Sequence, residues 1–138
     1  MNRPSSPGTA SGSTPAARPV LTWAVFGVTA VTTSAGHLVP GFARALARTN
    51  DFFSGEWWRL ITPILVNPEG WHQVVFNGVM LLLVGVTAER TFGRARWASL
   101  YVAGGLAGNA FSYVFGNYSA GSSVAVAGLA GGLAAWAL

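Results

Sequence analysis

The 138-residue sequence contains no cysteine, and all eight of its basic residues are arginine. Without thiols there is no disulfide, no thiolate metal site and no cysteine nucleophile. Charge is equally scarce: 9% of the residues are charged, against roughly 25% in soluble domains, and a water-exposed surface cannot be built from so few. Also missing are a phosphate-binding loop, a metal-ligand cluster and a dinucleotide fingerprint, so neither cofactor nor metal is expected. The formal net charge of +4 and pI near 10.8 would suit a nucleic-acid binder. The arginines are scattered, however, and those beside apolar runs are explained by membrane topology, so no nucleic-acid partner is expected.

What is present is 51% hydrophobic residues, a mean hydropathy of +0.46, 18 glycines and 6 tryptophans. That mixture predicts an all-α, polytopic membrane helix bundle with small-residue contacts and aromatic anchors at the interfaces. Residues 1–18 are rich in Pro, Gly, Ser, Thr and Ala and read as a disordered cytoplasmic tail. The membrane domain then occupies 19–138, with spans expected at about 20–39, 71–88, 97–115 and 121–138, each near the length needed to cross a hydrocarbon core at ~1.5 Å per residue. Between the first two, residues 42–70 mix three arginines and three acids with aromatics, a pattern for a membrane-lying loop with one or two short amphipathic helices. Its Trp57-Trp58-Arg59 cluster reads as an anchor at headgroup level. Glu89–Arg96 is expected to be a charged turn, and Gly104-x-x-x-Gly108 and Gly128-x-x-x-Gly132 to be faces that admit a close neighbour.

A cytoplasmic N-terminus leaves Arg3, Arg18, Arg90, Arg94 and Arg96 inside and Arg44, Arg48 and Arg59 outside, the direction of the positive-inside bias. His72, Gln73, Asn77 and Ser123 then share a depth just below the outer face. Such a chain belongs in a plasma (inner) membrane. The fourth run reaches Leu138 with no flanking arginine and no polar exit. The sequence is therefore expected to be the N-terminal part of a longer bundle, or a truncated product.

The stretch Tyr118–Gly132 (YSAGSSVAVAGLAGG) places Ser122 and Ser123 at the head of the last span. In isolation, a serine there reads first as a helix-carbonyl or packing hydroxyl. Several motifs in order change the weighting: Gly55–Thr62 (GEWWRLIT) in the first loop, a His/Asn pair opening the second span, Glu89–Gly93 (ERTFG) after it, and Gly121-Ser122-Ser123 opening the fourth. Together, over roughly residues 52–138, they resemble the rhomboid family of intramembrane serine proteases.

The resemblance implies a serine endopeptidase acting on transmembrane substrates within the bilayer. It implies Ser123 as the nucleophile of the family's Gly-x-Ser-Gly motif, introduced by Gly121, with Ser122 at the variable position and Gly128 and Gly131 as small residues further along the helix. Asn77 resembles the family's oxyanion-donating asparagine, with Gln73 and His72 as further candidates. Trp58 and Arg59 resemble a loop pair, and Glu89 and Gly93 a Glu-x-x-x-Gly signature, all four read as scaffold.

Three departures from the family pattern stand out. Val124 follows Ser123 where the family has glycine. Gln73 occupies the place of the family's second-span histidine, while His72, one residue earlier, points about 140° away from Asn77 on an ideal helix. The family's general base is a histidine on a sixth span, which these residues do not contain, so the 138-residue chain alone is expected to be inactive. The alternative is a non-catalytic rhomboid-like protein that binds transmembrane helices through its glycine ridges.

Overall fold

A computed structural model describes residues 18–114 and 120–138. Most of the expected N-terminal tail and most of the turn before the last helix lie outside the described residues. Among the described residues every regular element is helical. They are α1 (Val20–Leu38), α2 (Phe42–Leu46), three short 3-10 turns (Asn50–Ser54, Trp57–Leu60, Thr62–Leu65), α3 (Trp71–Val114) and α4 (Ser123–Ala137).

The expected turn over Glu89–Arg96 shrinks to one residue. Helical hydrogen bonding runs from Trp71 to Val114 and is broken at Gly93, whose φ of 76° and ψ of 171° belong to a region essentially reserved for glycine. The residues around it stay helical, and α3 therefore consists of two arms, 71–92 and 94–114. Each arm is long enough to cross a bilayer.

The arms and α1 are joined by polar groups that the apolar pattern conceals. Thr22, Thr29 and Thr33 fall on one face of α1 and are its buried residues, so the threonines that dilute its hydropathy point inward. Glu89, expected in an exposed turn, is 0% exposed. Its carboxylate accepts from Leu21 N (2.9 Å), Thr22 N (2.8 Å) and Thr22 Oγ1 (2.8 Å). It thus supplies from another helix the N-terminal cap that Pro19, with no side-chain donor or acceptor, cannot give α1. Beside it, Trp97 donates through Nε1 to Gly85 O at 2.9 Å and stacks on Tyr101 at 5.0 Å.

The second arm of α3 packs on α4 through the two glycine ridges. A methyl built on Gly104 would lie 2.6 Å from Gly128 Cα, and one on Gly128 would lie 2.7 Å from Leu100 O. Backbone cannot yield there. Gly128→Ala is therefore expected to cost about 1–3 kcal/mol by overpacking. Gly131, whose added methyl meets nothing within 4 Å, should instead tolerate alanine or gain from it. Unfolding midpoints in mixed detergent would separate the two.

The first loop is held mainly by Arg59, which is buried. Its Nη1 donates to Arg44 O (2.7 Å) and Ala47 O (2.8 Å), and it pairs with Glu56 and Asp51. Asn109 Nδ2 donates to Leu60 O at 2.8 Å, tying the loop to α3. The headgroup-anchor reading of the Trp57-Trp58-Arg59 cluster is thus corrected for Arg59, because a buried guanidinium needs the loop's carbonyls and carboxylates. Trp57 and Trp58 do remain exposed.

Candidate functional site

The loop, the start of α3 and the start of α4 meet at one end of the bundle. Gly121 has φ of 150° and donates its N–H to Pro63 O at 2.8 Å. A methyl there would lie 2.9 Å from Gln73 Nε2 and 3.4 Å from Asn77 Nδ2. The backbone angle requires glycine, and a methyl would press on the end of the Gln73 side chain. Gln73 and Asn77, four residues apart, share a helical face and both reach this turn. Gln73 Nε2 donates to Ala120 O at 2.8 Å.

Asn77 is 3% exposed and donates through Nδ2 to Asn67 Oδ1 at 2.6 Å. The same oxygen accepts from Ser122 N at 3.3 Å, and Asn67 N donates to Thr33 Oγ1 at 3.1 Å. The buried carboxamide of Asn67 thus ties α3 to the start of α4, and its backbone N–H adds α1. Asn67 was not among the residues singled out from sequence, where it lies within the expected membrane-lying loop.

Ser123 is the first residue of α4. Its side chain is exposed and lines a shallow hollow of about 240 Å³ with Phe76, Asn77, Met80, Val126 and Ala127. No side chain caps α4, which leaves the N–H groups of its first turn, including that of Ser123, available to a developing negative charge. A hydroxyl, an amide donor and an open helix N-terminus around one hollow can stabilise an oxyanion formed by attack of the hydroxyl.

Val124, the departure from the glycine pattern, is accommodated. Its side chain seats against Gly108, where an added methyl would come within 2.6 Å of Val124 Cβ. The ridge glycine supplies the space that the valine takes. Val124→Gly is expected to lower stability by about 1–2 kcal/mol, through helix propensity and a vacated contact. Adding Gly108→Ala should restore part of the loss.

The histidines stay apart from this hollow. His72 is exposed and lies over Gly70, its Nδ1 3.5 Å from where a methyl on that glycine would sit. Among the described residues it makes no hydrogen bond to the Gly121–Ser123 turn. Of the three expected oxyanion donors, Gln73 and Asn77 are the two that reach this turn, for the reason the 100° helical step gives: Gln73 takes the inward position. His37 stacks on Trp71 at 5.5 Å, and neither imidazole hydrogen-bonds Ser123. Among the described residues no group of three or more His, Asp or Glu side chains is placed to hold a metal.

A family profile described as "Rhomboid domain" matches residues 54–138. The chain is similar to the rhomboid protease GluP of Bacillus subtilis (strain 168), with 44% identity over 89 residues, 63% of this chain and 17% of that protein. It is similar also to the putative rhomboid protease YdcA of the same organism, with 43% identity over 61 residues, 44% of this chain and 30% of that one. RHOMBOID-like protein 9, chloroplastic, of Arabidopsis thaliana is 35% identical over 69 residues, 49% of this chain and 16% of that protein. The matched stretches span less than a third of the length of these relatives.

Proposed function

Since the chain belongs to the rhomboid family of integral membrane helix bundles, we propose that it carries the nucleophile and oxyanion donors of an intramembrane serine endopeptidase whose substrates are transmembrane helices. The observation that carries this reading is the convergence of Asn77, Gln73 and Gly121-Ser122-Ser123 at one helix end, with Ser123 facing the hollow beside Asn77.

Ser123 Oγ attacks the scissile carbonyl carbon. As the new C–O bond forms, the carbonyl π pair moves to oxygen, and the hydroxyl proton passes to a base. The Asn77 amide and the Ser123 N–H receive the oxyanion. Gln73, whose Nε2 is already turned to Ala120 O, holds the turn in place. His37 stacks on Trp71 and neither imidazole hydrogen-bonds Ser123, so the base of this reading is a histidine of the kind the family carries on its sixth span. The arginine bias supports an inner-membrane protein with a cytoplasmic N-terminus.

The helix-binding alternative loses its principal support, because the glycine ridges are used inside the molecule. Gly104 meets Gly128, Gly108 meets Val124, and Gly132 meets Leu100. Cleavage of a single-span substrate in liposomes tests the proposal. The 138-residue chain alone is expected to give no product. Fused to spans carrying the family's histidine, it should cleave, and Asn77→Ala should slow that cleavage by about one to two orders of magnitude. Unchanged cleavage by the Asn77→Ala fusion would reject the oxyanion assignment.

A further inference from the structure

Two buried side-chain hydroxyls, Thr29 Oγ1 and Ser122 Oγ, have no hydrogen-bond partner among the described residues, and both line one cavity of about 260 Å³. The cavity lies between α1 and the first arm of α3, on Val74, Gly78 and Leu81. Ser123 and its hollow sit against other residues of that arm, Phe76, Asn77 and Met80. Thr29 and Ser122 are 7% and 1% exposed, so solvent at the surface does not satisfy them.

Thr29 had a local remedy and does not use it. Elsewhere in the helices the hydroxyls of Thr32, Ser34, Thr87, Thr91, Ser99 and Ser112 each donate to the carbonyl four residues earlier. A threonine in an apolar helix that forgoes this bond leaves the desolvation of its hydroxyl uncompensated. The third polar member of the cavity wall is Asn67, whose oxygen is taken by Asn77 and Ser122 N and whose Nδ2 makes no hydrogen bond among the described residues. Two hydroxyls and an amide donor provide the two to four partners that a buried water requires, and the volume exceeds the ~30 Å³ one water occupies.

We propose that the polar end of this cavity is a water-binding site formed by Thr29 Oγ1, Ser122 Oγ and the Asn67 amide. Water there satisfies the hydroxyl next to the candidate nucleophile from the side opposite the substrate hollow, and it links α1 to the start of α4 where no direct bond joins Thr29 to Ser122. The site stands on the orphan hydroxyls and does not depend on the catalytic reading.

Water-edited solid-state NMR of the protein in liposomes tests it. Magnetisation from water is expected to reach Thr29 at a rate close to that of the loop residue Thr49, and several-fold faster than the exposed apolar Leu83. A Thr29 signal that builds up as slowly as that of Leu83 would show a dry cavity and overturn the proposal. The variant Thr29→Val gives an independent sign. With water bound, it removes one of the water's partners and lowers the unfolding midpoint; a dry cavity requires the midpoint to rise, since an unsatisfied hydroxyl is lost.

Discussion

Ser123→Ala is expected to abolish hydrolysis in any form of this protein to which a base is supplied, while leaving its stability within about 0.5 kcal/mol. The separation of the two effects follows from where the side chain sits. Ser123 is exposed at the first position of α4, its hydroxyl has no hydrogen-bond partner among the described residues, and alanine is the better helix former. Removing it costs no packing and no cap. Chemically, everything is lost, because among the described residues no other hydroxyl lines the hollow beside Asn77 and Ser122 is turned toward α1. The measurement is cleavage of a single-span substrate by the fused protein and its Ser123→Ala variant, with unfolding curves of both. Product formation at the parent rate by the variant would remove Ser123 from the mechanism.

The largest effect on stability is expected at Glu89. Truncation to alanine strands Leu21 N, Thr22 N and the Thr22 hydroxyl, in a region from which water is excluded, and takes a negative charge from the positive end of α1. Removing one member of a buried charged network costs about 3–5 kcal/mol, a large share of a typical folding free energy of 5–15 kcal/mol. Glu89→Gln keeps the shape but turns an NH₂ group toward N–H donors, so it should recover only part of the loss. Thr22→Val, which removes one of the three bonds, should cost about 1–2 kcal/mol. Denaturation in mixed micelles orders the three. If Glu89→Ala unfolds at the parent midpoint, the carboxylate does not hold α1.

How much of this was legible beforehand depended on the range over which each feature is decided. Helix positions came through because apolar run length and arginine placement are local properties, and α1 begins and ends within a residue of the stretch expected from them. The glycine ridges were legible for the same reason: a four-residue spacing puts two small residues on one face whatever lies opposite. Gly131 looked equivalent to Gly128 in sequence, yet it faces open space while its neighbour meets backbone. The length of the break between the arms of α3 was overestimated, because charge in Glu89–Arg96 suggested exposure, whereas one glycine with positive φ made the reversal and left Glu89 buried.

The candidate site divides along the same line. Ser123, Asn77, Gln73 and Gly121 could be named from motif order, and the inward face of Gln73 over His72 followed from helical geometry alone. Asn67 could not be named, since its importance lies in partners at positions 33, 77 and 122. The role of Arg59 as the loop's hub was likewise invisible, its partners being carbonyls that any residue carries.

Composition and run length by themselves therefore determined that this is a membrane helix bundle and where its helices run, because hydropathy and residue size act through the solvent and the nearest turn. Tertiary structure alone decided which polar groups are buried together. Glu89 meets α1 across 67 residues of chain, Val124 is received by Gly108, and Thr29 and Ser122 share one unsatisfied cavity. In an apolar medium a polar side chain must find a partner wherever the fold brings one near, and that partner's position is written in the packing of the helices.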